Sequence, residues 1–303
     1  MCEKIIITGA SGFVGLNLSQ YLQNHYFKIQ PLSLRNNLWK NEIDFNGKAI
    51  IHLAGKAHDT KSTSEERQYF NVNTQLTVEL YDFFLESNLE YFIYFSSVKA
   101  AADNVGGFLD ESFTPNPKTP YGISKLKAEE YILSKLPKDD KKIIIVRPCM
   151  IHGKGNKGNL NLLYSVVRKG FPYPLASFLN KRSFLSIDNL NFMIGEILEK
   201  KEISSGIYNF ADDEVLSTNE VVEIIARVLN RKPHLIKIPE NFIRFFCKIG
   251  DLLHLPLNTE NVKKLTENYC VSNDKIKKAI GVDKLPTSAK EGLIKTIASF
   301  IAK

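Results

Sequence analysis

Residues 5–15 read IIITGASGFVG, in which three isoleucines lead into a segment with a glycine at every third position. The β-branched run predicts a buried strand, and the apolar spacing of GLNLSQYLQNH, which follows from residue 15, predicts a helix. Gly9 permits a tight turn between them, Gly12 lets a ligand approach the backbone, and Gly15 lets helix and strand pack closely. Bare N–H groups at a helix start suit a pyrophosphate. The spacing is G-x-x-G-x-x-G rather than G-x-G-x-x-G, so a tight turn without a ligand stays the alternative.

Strand-like and helical segments alternate over the first half of the chain. Further strands are predicted at KIQPLSLR (28–35), AIIHLAG (49–55), YFIYFSSV (91–98) and KIIIVRP (142–148), with long helices over 65–87 and from Pro120. Continuous apolar strands joined through helices indicate a doubly wound α/β fold, with a parallel sheet covered on both faces. The stretch between Arg35 and Ala49 is too short for a full helix and strand, so one crossover is expected to be abbreviated.

The pattern changes near Met150, after which a glycine-rich loop and short mixed elements follow. We therefore predict a dinucleotide-binding domain over 1–150 and a smaller, discontinuous substrate lobe over 151–303, with segments that return to the first domain. Ser217 with Glu220 and Ser288 with Glu291 have the spacing of capping boxes. The apolar helix over 241–257 has two interpretations: it packs on its own lobe, which its interrupting charges favour, or it lies on a membrane surface or a second copy.

Composition excludes several classes of function. A net charge of +7 over 303 residues permits a nucleic-acid binder, but the lysines are dispersed, so we expect a solvated basic surface and no nucleic-acid partner. The N-terminus lacks a basic stretch followed by a long apolar run, so we expect a cytoplasmic protein without a membrane span. Four cysteines without CxxC spacing indicate free thiols and no metal site.

The strongest chemical signal is TPYGISK, which places Tyr121 and Lys125 four residues apart on one helix face. A strand ending in FSSV precedes it and supplies Ser97. A tyrosine is a poor acid or base at its ordinary pKa of about 10, but a nearby ammonium stabilises its phenolate. With the Ser97 hydroxyl to orient the substrate oxygen, this group of side chains suits general acid-base catalysis. It can add a proton to an alcohol oxygen or remove one while a hydride is transferred at the attached carbon.

With these residues the chain resembles the extended short-chain dehydrogenases/reductases, in the NAD-dependent nucleotide-sugar epimerase/dehydratase family that includes UDP-glucose and UDP-N-acetylglucosamine 4-epimerases. The matching segments are TGASGFVG, HLAG, NVN, FSSV, PYGISK, RPCMIHGKG, KRSFLSIDNL and YNFADDEVLS. The combination is specific and runs nearly end to end. It implies a Rossmann-type domain plus a smaller lobe that holds a sugar nucleotide, with NAD or NADP as cofactor.

The resemblance also implies a role for particular residues. Ser97, Tyr121 and Lys125 are the expected catalytic residues. Ser97 is also expected to contact the substrate, Tyr121 to contact the cofactor, and Lys125 to contact the nicotinamide ribose. The remaining expected cofactor contacts are Gly9, Gly12, Phe13, Val14, Gly15, Leu53, Ala54, Gly55 and Asn73. Asn159 and Arg182 are expected to hold the diphosphate of a UDP-sugar, because a guanidinium binds phosphate oxygens bidentately. A homodimer is left open.

Departures from the family pattern keep the specificity open. The segment after the second strand reads LSLRN, with no carboxylate for a ribose 2′-OH, so Arg35 is expected to meet a 2′-phosphate. Val98 and Lys99 follow the serine, where a 4,6-dehydratase needs carboxylates. His152 stands where a tyrosine is frequent, and His52 is expected to be structural.

Two reactions at C4 of a UDP-hexose therefore stay open, in the setting of bacterial polysaccharide precursor synthesis. A 4-epimerase holds NAD tightly and returns the hydride to the other face of the sugar. A 4-keto-6-deoxy-sugar reductase consumes external NAD(P)H. The rival from another class is a dinucleotide-binding sensor or scaffold without catalysis, against which the intact Ser97, Tyr121 and Lys125 argue.

Overall fold

A computed structural model describes residues 3–35, 38–42, 46–56, 65–137, 140–156, 158–200, 202–252 and 258–301, apart from the side chains of Glu42, Asn159, Glu260, Asn261 and Lys264. The strands are β1 (Lys4–Thr8), β2 (Lys28–Leu32), β3 (Ala49–His52), β4 (Tyr91–Phe95), β5 (Phe108–Leu109), β6 (Lys142–Pro148), β7 (Met150–His152), β8 (Arg182–Ser186), β9 (Gly206–Phe210), β10 (Val215–Leu216) and β11 (Cys270–Val271).

The helices are α1 (Phe13–Asn24), α2 (Trp39–Glu42), α3 (Glu66–Tyr69), α4 (Leu76–Leu85), α5 (Pro120–Ser134), α6 (Asn159–Arg168), α7 (Ile187–Glu199), α8 (Thr218–Val228), α9 (Glu240–Leu252), α10 (Thr259–Thr266), α11 (Asp274–Ile280) and α12 (Ala289–Ile301). A π-helical turn, Phe70–Gln75, joins α3 to α4. The long helix predicted over 65–87 is therefore one continuous helix over 66–85 with a π-helical turn inside it.

The main sheet has six strands in the order β2-β1-β3-β4-β6-β9, and every neighbouring pair is parallel. Successive residues of β1 point to opposite faces. Ile5 and Ile7 join the core under α1 and α7, whereas Ile6 joins the core under α4 and α5. Burial on both faces is why these strands are continuously apolar, and the predicted doubly wound α/β fold is confirmed.

The strand order reverses between β1 and β3, because the chain runs from β1 outward to β2 and then returns to β3 on the other side. Ligands of open α/β sheets bind in the crevice at such a reversal, outside the carboxyl ends of the strands. The crossover from β2 to β3 is abbreviated as predicted: its described part holds only the single turn α2, anchored by the buried Trp39.

Elements after residue 150 divide between the sheet and a second core. Strand β9 extends the main sheet beside β6, and α7 packs on α1. Helices α6, α8, α9 and α12 enclose a separate apolar cluster that runs from Leu160 to Phe300. The boundary near residue 150 stays a prediction, since segments on its far side contribute to both cores.

Helix ends in this part follow the sequence closely. The Ser217 hydroxyl accepts from the Glu220 backbone N–H at 3.1 Å, and the Glu220 carboxylate accepts from the Ser217 N–H at 2.8 Å, so the predicted capping box is confirmed. Ser288 and Glu291 form the same pair of bonds before α12. Helix α9 buries Ile243 against its own lobe, as favoured from the sequence. No helix among the described residues is long and apolar enough to cross a bilayer.

Candidate active site

The turn between β1 and α1 requires two of its glycines for steric reasons. Gly9 has φ +68°, and a β-carbon there would lie 2.8 Å from the Ala54 backbone nitrogen at the end of β3. A β-carbon on Gly15 would overlap the Gly9 carbonyl oxygen. The roles predicted for Gly9 in the turn and for Gly15 in close helix packing therefore match the geometry.

Helix α1 begins beside this turn, and its first residues face the cleft. Gly12 is the N-cap and has no side chain to accept a bond from the first turn. The N–H groups of Phe13 and Val14 have no acceptor within the helix, and the positive end of the helix dipole adds to them. Phe13 packs against Gly153 of the second lobe, and Val14 lines the cleft. This bare backbone fits the pyrophosphate of a dinucleotide.

A cleft of about 280 Å³ opens at the carboxyl ends of β3, β4 and β6. It brings together the predicted residues Val14, Leu53, Gly55, Ser97, Tyr121 and Lys125 from four separate segments. Lys56, Phe95, Ser96, Pro148, Cys149 and Ile151 also line it and were not predicted. Phe95, Ser96, Pro148 and Cys149 stand at or just after the ends of β4 and β6, and this position is the signal that could have identified them, because ligands of parallel sheets bind there.

Ser97 and Tyr121 form the centre of this cleft. Burial raises the pKa of the Tyr121 phenol, a hydrogen bond with the Ser97 side chain lowers it in part, and Tyr69 raises it slightly. The Tyr69 ring stands edge-on to the Tyr121 ring, with centroids 6.1 Å apart. In this structure Tyr121 is therefore a neutral phenol, and it needs a stabilising cation to work as a base.

Lys125, which the sequence predicts to be the source of that cation, lies one helical turn beyond Tyr121 and lines the same cleft. Its Nζ donates to the Phe95 carbonyl at 2.8 Å and lies 4.9 Å from the centre of the Tyr94 ring. Burial lowers the pKa of Lys125 to about 8, and the charge of Glu129 opposes that decrease. The side chain is thus still mostly an ammonium at neutral pH.

The start of α5 holds Tyr121 against the end of β4. Thr119 is the N-cap, and its hydroxyl accepts from the Gly122 N–H at 3.2 Å. Pro120 occupies the first turn, where its missing N–H costs nothing. A β-carbon on Gly122 would overlap the Lys99 carbonyl oxygen, so the helix approaches the turn after Ser97 as closely as a glycine allows.

A buried ion pair, which sequence reasoning missed, ties α5 to two strands. The Arg147 guanidinium of β6 donates from Nε to both Glu129 carboxylate oxygens, at 3.0 and 3.2 Å, and also from Nη2. Ser96 donates to the same carboxylate. Both charged side chains are 1% exposed. The network joins α5, β4 and β6, and so positions Tyr121 and Lys125 relative to Ser97.

Asn73 fastens the loop after β3 to α5. Its Oδ1 accepts from the Lys56 N–H at 2.7 Å, and its Nδ2 donates to the Lys56 carbonyl and the Ser124 hydroxyl, each at 3.1 Å. A β-carbon on Gly55 would lie 3.1 Å from Asn73 Oδ1 and 3.2 Å from Lys125 Nζ. Asn73 lies in the π-helical turn and positions this loop; its contact with the cofactor stays a prediction.

His52 is structural, as expected. The Thr77 hydroxyl donates to the Asn73 carbonyl, so His52 Nε2 donates to Thr77 at 2.9 Å, and Nδ1 accepts from Thr8 at 2.7 Å. Burial, with a smaller contribution from the Lys125 charge, lowers the pKa of His52 to about 3. A neutral ring with both nitrogens bonded fastens β3 to β1 and to α4.

Arg35 is exposed and lies just beyond the end of β2. This edge strand pairs with β1 on the side opposite to β3. Residues 28–35 contain no carboxylate that could accept from a ribose hydroxyl. The position suits contact with the adenosine side of a dinucleotide held at the turn after β1. The 2′-phosphate role of Arg35 stays a prediction.

Of the two residues predicted to hold the diphosphate, only Arg182 has a described side chain. It begins β8, where burial lowers the pKa of the guanidinium and Glu267 partly restores it. Its strand, β8, pairs with β7, whose Ile151 lines the cleft, but Arg182 itself is not among the cleft-lining residues. Asn159 begins α6, but its side chain lies outside the described residues.

Lys99 occupies the position where a carboxylate would suit a dehydratase. Its Nζ donates to the Asp103 carbonyl at 2.8 Å and lies 4.2 Å from the centre of the Tyr269 ring. Tyr269 in turn donates to the carbonyls of Val98 and Ala102, at 3.1 and 2.7 Å. The turn after Ser97 thus carries a cation rather than a carboxylate. No group of three potential metal ligands occurs in the part of the chain that the structure describes.

Comparisons with known proteins agree with this site. The UDP-glucose 4-epimerase of Vibrio cholerae is 28% identical over 99% of this chain and 96% of its own length. The GDP-6-deoxy-D-mannose reductase of Pseudomonas aeruginosa is 24% identical over 80% of this chain and 86% of its own. Among solved structures, MoeE5 in complex with UDP-glucose and NAD superposes with a TM-score of 0.77 at 18% identity, covering 99% of both chains.

A family model described as the NAD dependent epimerase/dehydratase family matches residues 5–211. The predicted fold, enzyme class and dinucleotide cofactor are therefore confirmed. The matched family consists of NAD-dependent enzymes, and the MoeE5 structure has the same fold as this chain. The choice between NAD and NADP stays open. The chain belongs to the NAD dependent epimerase/dehydratase family.

Proposed function

We propose that this protein catalyses NAD(P)-dependent redox chemistry at C4 of a UDP-hexose, as a 4-epimerase in bacterial polysaccharide precursor synthesis. The observation that carries the proposal is the meeting of Ser97, Tyr121 and Lys125 in one cleft beside the glycine turn of Gly9. The relative from Vibrio cholerae, which is named a UDP-glucose 4-epimerase and aligns over nearly its full length, supports the reaction.

Proton transfer is the part of the reaction that this chain performs with its own side chains. The Ser97 hydroxyl orients the C4 oxygen, and the Tyr121 phenolate takes the C4 hydroxyl proton as hydride leaves C4. A dinucleotide held at the turn of Gly9, Gly12 and Gly15 would supply the acceptor and donor for that hydride. Lys125 stabilises the phenolate, because an ammonium in a site of low dielectric opposes the increase in pKa that burial causes.

We propose that the elements after residue 150 hold the UDP moiety, with Arg182 and Asn159 on its diphosphate. Support for Arg182 comes from its strand, because β8 pairs with β7 and Ile151 of β7 lines the cleft. We place the enzyme in the cytoplasm, because Cys149, Cys247 and Cys270 are all free thiols, as a reducing compartment allows. The homodimer also stays a prediction, and light scattering of the purified protein would measure its oligomeric state.

A second candidate is the reduction of a UDP-4-keto-6-deoxy sugar by external NADPH. The absence of a carboxylate from residues 28–35 favours it, since a tight hold on NAD uses an acidic side chain on the ribose 2′-OH. The relative from Pseudomonas aeruginosa, named a reductase, supports this candidate. Both candidates use the same three side chains and differ in whether the cofactor leaves after each turnover.

Two incubations of the purified protein separate the candidates. UDP-N-acetylglucosamine without added cofactor is converted to its C4 epimer by an epimerase, and denaturing that protein releases oxidised NAD. A UDP-4-keto-6-deoxy amino sugar oxidises NADPH only with a reductase. A folded protein that binds dinucleotide but performs neither reaction points to another nucleotide sugar as the substrate, or to the sensor or scaffold.

A further inference from the structure

A second pocket, of about 280 Å³, lies in the second lobe between α6, α8 and the segments that follow them. Its apolar walls are Val167 of α6, Val222 of α8 and the ring of Phe171, which is 60% exposed. No carboxylate of the described residues lines it. The polar part of its lining consists of three side chains with N–H donors: Arg231, Lys232 and His234.

Backbone contacts hold the two segments that form this pocket together. The Tyr173 N–H donates to the His234 carbonyl at 2.8 Å, and the Ile236 N–H donates to the Tyr173 carbonyl at 2.9 Å. Gly170, with φ +77°, turns the chain after α6, and a β-carbon there would lie 3.5 Å from Arg231 Nη1. The guanidinium therefore lies beside the turn that ends α6, on a segment whose backbone is fixed by this pairing.

Positive charge is concentrated around the pocket. Residues 165–175 and 226–238 contain no aspartate or glutamate and six basic residues: Arg168, Lys169, Arg227, Arg231, Lys232 and Lys237. All six are exposed, and none forms an ion pair or a side-chain hydrogen bond with another residue that the structure describes. The nearest carboxylates along the chain lie outside the lining: Glu223 is on α8, and Glu240 accepts from Arg244. The charge around the pocket is therefore not balanced locally.

Helix ends explain part of this charge. Arg168 lies in the last turn of α6 and Arg227 in the last turn of α8, where a cation stabilises the helix dipole. Arg231 lies beside the end of α6 but donates no hydrogen bond to it, because the carbonyls there accept from the N–H groups of Gly170 and Phe171. The donors that line the pocket therefore have no partner in the part of the fold described, and they meet at a cavity.

We propose that this pocket is a second binding site of the enzyme, for a phosphate monoester that carries a planar ring, the class to which nucleoside monophosphates belong. A phosphate monoester has close to two negative charges and three acceptor oxygens, which match the guanidinium fork of Arg231, the ammonium of Lys232 and an N–H of His234. The exposed ring of Phe171 would stack with the ring of the ligand. A volume of about 280 Å³ is at the lower end of small-molecule sites and fits one ring with its phosphate.

Helix α6 separates this pocket from the proposed diphosphate site. Asn159 begins the helix, whereas Val167 near its other end lines the pocket, and ten helical residues rise about 15 Å. No residue lines both the pocket and the active-site cleft. The proposal therefore does not depend on which sugar reaction the cleft performs.

A fluorescent reporter in the pocket tests the proposal on the full chain. The sequence has one tryptophan, Trp39, which is 1% exposed, so Phe171→Trp adds a second indole at the pocket and the wild type titrated in parallel gives the background. We expect UMP to change the emission of Phe171→Trp with a saturable curve. Inorganic phosphate lacks the ring and uridine lacks the phosphate, so each should bind about tenfold or more weakly than UMP.

Two double variants in the Phe171→Trp background separate the pocket from the general charge of this surface. R231Q/K232Q should weaken UMP binding more than about tenfold, because it removes two donors of the lining. The matched control, R168Q/R227Q, removes the same charge from outside the lining and should bind UMP within about threefold, because salt screens exposed charges at a distance. Thermal unfolding of both variants at the same midpoint shows that the comparison concerns the pocket and not the fold.

The proposal is overturned if UMP leaves the emission of Phe171→Trp unchanged, or if uridine binds as tightly as UMP. It is also overturned if R231Q/K232Q binds UMP as well as R168Q/R227Q does, since the signal would then come from another site such as the cleft. A response to vesicles that contain phosphatidylglycerol, without a response to any soluble phosphate, would assign these cations to a membrane surface instead.

Discussion

Gly55 lies so close to Lys125 that a β-carbon on the glycine would stand 3.2 Å from the lysine Nζ. The same β-carbon would stand 3.1 Å from Asn73 Oδ1, which accepts from the Lys56 backbone. Gly55→Ala is therefore expected to move the ammonium and weaken dinucleotide binding about tenfold, or about 1.4 kcal/mol. Calorimetric titration with NAD and NADPH measures it.

The control for this prediction is Gly106→Ala, because a β-carbon there meets no atom within 4 Å. It should bind dinucleotide like the wild type. If Gly55→Ala binds equally well, the loop after β3 does not constrain Lys125.

The role of Tyr121 is tested by Tyr121→Phe. Removing the hydroxyl should leave dinucleotide binding nearly intact and lower turnover about 10²–10⁴-fold, the usual contribution of a general acid or base. The control is Tyr131→Phe on the same helix, where the hydroxyl donates to Asp82 away from the cleft. Steady-state kinetics of both variants decide it, and turnover of Tyr121→Phe within threefold of wild type would remove Tyr121 from the mechanism.

The buried pair of Glu129 and Arg147 predicts a large effect on stability. Glu129→Gln leaves the guanidinium uncompensated in the interior, so the free energy of unfolding should decrease by about 3–5 kcal/mol. Glu240→Gln breaks the exposed pair with Arg244 and should cost less than about 1 kcal/mol. Urea titrations measure the free energy of unfolding of both variants. Equal decreases would mean that the buried pair contributes no more to stability than the exposed pair does.

Sequence spacing predicted the parts of the site that lie within a few residues of one another. The glycine turn, the pair of Tyr121 and Lys125 on one helix face, and Ser97 at a strand end each follow from a local period or a local turn. Contacts between residues far apart in the sequence could not be predicted in this way. The period of a strand or helix shows which face a residue lies on, but not which element packs against that face. Arg147 reads as an ordinary strand residue until β6 is placed beside β4 and α5.

The same limit explains α9 and the cleft lining. The hydrophobic pattern over 241–257 predicted a helix, which the structure confirms over Glu240–Leu252, and residues 253–257 lie outside the described residues. The charges of the segment predicted packing on its own lobe. Only the fold reveals that Ile243 and Cys247 use one face while Phe245 and Phe246 stay outside. The sequence identified Cys149 only as one of four dispersed thiols. The fold places it in the cleft, because β6 ends at the same edge of the sheet as β4.

His52 predicts how stability depends on pH. Its pKa is about 3 in the folded chain and 6.5 when unperturbed, so below pH 6.5 the unfolded chain binds the extra proton. The stabilisation is complete above pH 6.5 and decreases as the pH falls towards 3; between about pH 6.5 and pH 5 the loss is about 2 kcal/mol. His52→Gln should flatten this decrease in urea titrations, whereas His25→Gln, at the surface, should keep it. An unchanged slope in His52→Gln would assign the decrease to other groups.

Arg35 decides the cofactor prediction. A guanidinium beyond β2 without a nearby carboxylate in residues 28–35 favours the 2′-phosphate of NADPH over the free hydroxyl of NADH. Arg35→Ala should weaken NADPH about tenfold or more, the contribution of a hydrogen bond between charged groups, and change NADH little. Arg35→Lys keeps the charge but loses the bidentate fork, so its NADPH affinity should fall between the two. Titration of all three proteins with both cofactors gives the ratio of the two affinities. If NADH binds more than tenfold tighter to the wild type and Arg35→Ala leaves the ratio unchanged, Arg35 does not contact the phosphate, and the epimerase gains over the reductase.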